Sequence, residues 1–145
     1  MWNVSTICLA VVLLAGCGKS EPLRITDAWI RETPPGRTVT AAFMRIENLT
    51  ANNLAIVQME TAVSDTVELH TMAYVGEMMT MKQVDHIPVP AHGTAVLAPG
   101  GLHVMLFGVK RSLTAGDSVS IVARLSDGTS LPVMAHVKSF ASMQR

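Results

Sequence analysis

The chain has 145 residues, room for one ordinary domain and too few for two comfortable ones. Apolar residues make up 49% of it and charged residues 15%, with eleven basic side chains set against eleven acidic ones. Such a chain can bury a core but offers no basic patch, which excludes nucleic acid as its expected partner.

The first element is a targeting segment rather than part of the fold. Val4 to Gly16 is mostly apolar, the length of a signal-peptide core and short for a membrane span. It ends in Leu14-Ala15-Gly16-Cys17, which resembles the lipobox of bacterial lipoproteins. The resemblance implies cleavage before Cys17, with diacylglycerol joined to its sulfur and an acyl chain to its new amine. No Lys or Arg precedes the apolar run, a departure from the usual signal anatomy. On this reading residues 1–16 are the lipoprotein signal peptide and residues 17–23 a polar tether. Cys8 leaves with the signal and Cys17 becomes a thioether that anchors the chain to the membrane. The mature domain then has neither thiol nor disulfide, so any soft-metal site in it must be built without cysteine.

From there the chain reads as all-β. Short apolar runs are separated by turn clusters at Thr33–Gly36, Asn48–Asn53, Pro88–Pro90, Pro99–Gly101, Ala115–Asp117 and Asp127-Gly128. Their spacing suits a Greek-key sandwich or barrel. Ser118 to Leu125 alternates apolar and polar residues, and Asp127-Gly128 predicts a tight hairpin into Leu131–Met134. No long segment carries a helical stripe, and the chain shows no internal repeat.

Between His70 and Met105 lie four of the five histidines and five of the ten methionines. Met is usually a gap-filler used in moderation, so this excess asks for a further reason. In Leu102-His103-Val104-Met105-Leu106 the period of two places His103 and Met105 on one strand face and the aliphatic residues on the other. Met79 and Met81 share a face in the same way. Val67 and Leu69 read as core, which leaves His70 and Met72 on the opposite side. Imidazole nitrogen with thioether sulfur suits Cu(I), a soft ion. Methionine has no proton to lose and forms no disulfide, so it remains a ligand in an oxidising compartment. Mg(II) and Ca(II) would want oxygen, and Zn(II) would want Cys or carboxylate beside the histidines.

The spacing is more specific still. His70, ten residues, Met81, twenty-one residues, then His103-x-Met105 resembles the ligand signature of the PCuAC copper chaperones. Asp27-Ala28-Trp29-Ile30-Arg31 with Pro34-Pro35-Gly36 resembles that family's opening. Val67–Met72, Pro99–Leu106 and Leu113–Asp117 resemble its later blocks. The likeness runs from about residue 25 to 138. It implies a cupredoxin-like β-barrel or sandwich over residues 24–140, with residues 141–145 a C-terminal tail. It also implies one Cu(I) per domain, held by His70, Met81, His103 and Met105, with Met72 at an optional position as an additional ligand. The implied task is delivery of copper in the periplasm or at the extracytoplasmic face. The implied partners are a CuA-bearing cytochrome c oxidase subunit or a Sco-type protein.

The remaining candidates read more plainly. Met78 and Met79 have no assigned role; Met79 reads as core packing or an exposed loop residue, with a place lining the site as the alternative. His86 and His92 fall in a Pro-rich linker and read as surface residues. His136 sits in a terminal strand without an evident partner. A blue-copper electron carrier would need a Cys thiolate beside two histidines, and the domain has none. Glu68 and Asp85 lie near the ligands but pair with no nucleophile, so an enzyme is not expected. Copper storage or tolerance stands as the alternative to delivery.

Overall fold

The computed structural model describes residues 21–139 and Ala141. The expected signal peptide, Cys17 and the tether up to Ser20 lie outside the described residues. Ten strands follow in chain order: β1 (Leu23–Arg31), β2 (Val39–Asn48), β3 (Leu54–Thr61), β4 (Ser64–Val75), β5 (Met78–Gln83), β6 (Ile87–Val89), β7 (Thr94–Leu97), β8 (His103–Val109), β9 (Ser118–Leu125) and β10 (Ser130–Lys138). Leu23, placed at the end of the tether from sequence, is already the first residue of β1. The Pro-rich linker carries β6 and β7. Pro88 within the three-residue β6, and Pro90 just after it, obscure the pattern, which is why the segment reads as a loop.

β9 illustrates why these segments become strands. Val119, Ile121, Ala123 and Leu125 are buried and alternate with more exposed residues, as one face of a pleated strand requires. The chain then reverses over Ser126–Gly128. Gly128 N–H donates to the Leu125 carbonyl at 3.0 Å, and Leu125 N–H donates to that of Thr129 at 2.8 Å. Gly128 has φ of 86°, so the hairpin closes with a left-handed glycine that most residues would adopt only with strain.

The strands follow one hydrogen-bonded path, β5-β4-β8-β2-β1-β10-β9-β3-β6, with β7 added to β2. β2 serves two neighbours on one edge. Val39–Ala42 pair with β8, and Met44–Glu47 pair with β7. β3 and β4 are consecutive yet pair differently: β3 joins β9 and β6, whereas β4 joins β8 and β5. The sheet thereby folds over itself. Ile56 and Met59 of β3, Leu69 of β4, Val104 and Leu106 of β8 and Ile121 of β9 enter one buried cluster. Each such side chain contributes about 1.5–3 kcal/mol when fully buried.

The Asn48–Asn53 turn is held from inside. Asn48 is buried and donates through Nδ2 to the carbonyls of Asn52 and Val89, at 2.8 and 2.9 Å. Its Oδ1 accepts from Thr50 N–H and from the Thr50 hydroxyl, at 2.9 and 2.8 Å. A buried amide is tolerated because these bonds satisfy it.

Candidate metal centre

His70 and His103 are Cα partners across β4 and β8, so their side chains emerge on the same face. Their ring centroids are 5.7 Å apart, and the residues are only 9% and 5% exposed. Met105 follows on that face, opposite Glu68. It is buried in a small cluster with Ala41 and Phe43, against which Trp29 and Phe107 pack. The residues between them, Leu69, Val104 and Leu106, go to the main core instead. Period-two alternation therefore splits these strands into an aliphatic side and a His-Met side, as the sequence predicts.

Hydrogen bonds assign the nitrogen atoms. His103 Nδ1 lies 2.9 Å from the Gly101 carbonyl. A carbonyl oxygen only accepts, so Nδ1 carries the proton and Nε2 keeps its lone pair. Gly101 is fixed by its own turn. Its N–H donates to the Ala98 carbonyl at 3.0 Å, and Gly100 beside it has φ of 84°. The Pro99-Gly100-Gly101 sequence thus sets the tautomer of the histidine that follows it.

His70 is oriented from the other side. Its Nε2 lies 2.8 Å from Glu68 Oε2, so with an ionised Glu68 it is Nε2 that donates. Nδ1 is left with its lone pair, buried and without a hydrogen-bond partner. An unsatisfied buried nitrogen costs stability unless an electron-poor species binds it. A carboxylate on one ring nitrogen and an open lone pair on the other is the usual arrangement of a metal-binding histidine. Glu68, which has no evident role in the sequence, is the residue that positions His70.

Met81 is built differently. It is the Cα partner of Met72 across β4 and β5, and it is 55% exposed. Met72, Met81, His103 and Met105 line a common pocket of about 310 Å³, together with Arg31 and Phe43. Phe43 stacks on Trp29 with centroids 4.4 Å apart and lies 6.4 Å from the His103 ring. The Arg31 guanidinium sits 5.8 Å from the Phe43 centroid. This aromatic wall was missed from sequence. Its signal was the alternation of β1, in which Ala28 and Ile30 are core and Trp29 and Arg31 must face the other way.

The candidates read as bystanders fall elsewhere. His86 and His92 are exposed. His136 is exposed too, but it has a partner that sequence did not reveal, the Ser118 hydroxyl at 3.1 Å. The two residues are Cα partners across β9 and β10. Met78 and Met79 are 69% and 47% exposed on β5, so Met79 belongs to a strand and not to the core or a loop. Among the described residues no group of three His, Cys, Asp or Glu is placed to hold a metal. The donors that line the pocket are the His103 imidazole and the thioethers of Met72, Met81 and Met105; His70 does not line it and stands behind His103, its ring centroid 5.7 Å away.

Three kinds of relative match this chain. The LpqE-like family model, named for lipoproteins, matches residues 23–137. Lxx21020 of Leifsonia xyli subsp. xyli (strain CTCB07), also named as a lipoprotein, is 29% identical over 152 residues, spanning 96% of this chain and 90% of that protein. The solution structure of CuI-DR1885 from Deinococcus radiodurans is 37% identical, with a TM-score of 0.64 over 77% of this chain and 74% of that one. The copper-bound PCuAC domain from PmoF2 is 18% identical and has a TM-score of 0.69, covering 82% of this chain and 94% of that domain, which speaks for the fold. With its match over nearly all of the described residues, the chain belongs to the LpqE-like family and has the cupredoxin-like fold of PCuAC domains.

Proposed function

We propose that this protein is an extracytoplasmic Cu(I) carrier that holds one ion with His70, Met81, His103 and Met105 and gives it up to an acceptor protein. The observation that carries the reading is the pair of buried histidines on β4 and β8, each with one ring nitrogen hydrogen-bonded and the other left as a lone pair. The pocket that His103 lines also holds the thioethers of Met72, Met81 and Met105, and with His70 beside His103 that donor set favours Cu(I) over harder ions. CuI-DR1885 and the PmoF2 domain, which share the fold, are copper-bound by name. The lipoprotein names of the relatives support a lipid anchor at Cys17 and a place outside the cytoplasm. Delivery toward the CuA site of cytochrome c oxidase, directly or through a Sco-type protein, is the client we assign to it.

Competition against a Cu(I) chelator tests the carrier. One tight equivalent per chain is expected. Replacing all four ligands by Ala should abolish it while the circular dichroism of the fold persists. An unchanged affinity in that variant would end the assignment.

A further inference from the structure

The β4–β5 hairpin presents more thioethers than the proposed site uses. In its register Met72 faces Met81, Tyr74 faces Met79 and Val75 faces Met78. Opposite residues share a sheet face, and so do residues two apart. Met72, Met79 and Met81 therefore lie on one face, which continues from His70 toward the hairpin tip, while Met78 and Thr80 lie on the other. Met72 lines the pocket and Met79 does not. Met79 is 47% exposed, and Tyr74, Val75 and Met78 around it are 65–70% exposed. A cluster of exposed apolar side chains on one hairpin is unusual for a surface that has no task.

We infer that Met72 and Met79 form a second, weaker thioether station for Cu(I) toward the tip of this hairpin, on the same face as the His-Met site and beside Met81, the partner of Met72. The inference rests on the carrier reading above. Met72 and Met79 are diagonal neighbours across the two strands, about 7–8 Å apart at the backbone. A Met side chain has three rotatable bonds and spans such a gap from each side. Soft Cu(I) accepts thioether sulfur readily. Two sulfurs leave its shell incomplete, so a ligand from an acceptor can join before any ligand of the donor is released. Met81 is half-exposed and so is free to turn from the pocket toward either neighbour. No electron is gained or lost in this passage; thioethers are exchanged one at a time.

The test is a titration of the full-length chain in detergent micelles, with ¹³C-labelled Met methyls, by anaerobic Cu(I). The first equivalent is expected to shift the Met81 and Met105 methyls and the ring signals of His70 and His103. The second equivalent should shift Met72 and Met79, with an affinity at least tenfold weaker than the first. Met79→Leu should leave the first equivalent unchanged, weaken the second at least tenfold and slow transfer to a thioether-rich acceptor peptide. A Met79 methyl that stays still through two equivalents overturns the station, as does a Met79→Leu chain that binds and transfers like the parent. Histidine rings that do not respond to the first equivalent overturn the carrier site instead, so the two failures are separate.

Discussion

The β4–β8 wall and the β4–β5 hairpin carry the proposed copper donors, yet they are opposite in construction. On the wall, His70 and His103 are nearly buried, each ring is pinned by a hydrogen bond, and Met105 is enclosed by Phe43 and Phe107. On the hairpin, Met81 is 55% exposed and Tyr74, Val75, Met78 and Met79 are exposed beside it. Among the described residues β5 has β4 as its only neighbour in the sheet order, whereas β4 and β8 are flanked on both sides. A carrier has to hold its ion and also release it, and these demands fall on different strands. On the proposed function, the buried wall would fix geometry and affinity, and the open hairpin would give the ion a way out.

Substitutions on the two regions should therefore behave differently. The largest effect is expected from His103→Ala, which removes a preoriented donor from the dry side. Its Cu(I) affinity should fall by about 100-fold or more, beyond the roughly 10–100-fold typical for losing a residue that only supports a ligand. Met81→Ala should cost less affinity and accelerate release, with thermal stability within about 0.5 kcal/mol of the parent because the side chain is exposed. Chelator competition and stopped-flow release measure the two quantities. Equal losses of affinity with equal release rates would erase the distinction between wall and hairpin.

Glu68→Gln sharpens the comparison from the wall side. It keeps the shape but removes the carboxylate that accepts from His70 Nε2. An affinity loss of about tenfold is expected, with little change in stability. No loss would mean that His70 is oriented by packing alone.

The smallest effect belongs to a region outside both. Asp117 accepts from Arg111 Nη1 at 2.8 Å and from Thr114 N–H at 3.1 Å. The Arg111 hydrogen bond first, and then the Thr114 amide, hold its carboxyl below the usual range. A carboxyl lowered on folding adds stability above its unfolded pKa, about 4 for Asp, and loses it as pH falls through the folded value. Asp117→Asn should lower the Tm slightly at pH 7, by an amount that shrinks toward pH 3, and leave copper affinity untouched. A gap in Tm that widens on acidification would reverse that sign.

How much of this was legible in the sequence follows from the period of two. Ser118–Leu125 and Leu102–Leu106 announced their strands because one face of each is aliphatic and the other is not. The same alternation put His103 with Met105 and His70 with Met72. What alternation cannot convey is which strands become neighbours. The pairing of His70 with His103, the wall of Trp29 and Phe43, and the Ser118 partner of His136 all come from strands distant in sequence. β6 and β7 were lost among prolines and turns, because strands of three and four residues show too few repeats of any period. The role of Glu68 was hidden for another reason: a carboxylate two residues from a histidine on a strand is common, and only the 2.8 Å contact gives it meaning.

The central claim is the donor set itself, and X-ray absorption at the copper edge of the Cu(I)-loaded chain tests it most directly. With one equivalent bound, the account predicts two sulfur neighbours and two imidazole nitrogens around the metal. Met81→Ala should remove one sulfur and His103→Ala one nitrogen. A spectrum of the loaded parent without sulfur, or one that neither substitution alters, would contradict the assignment of Cu(I) to His70, Met81, His103 and Met105.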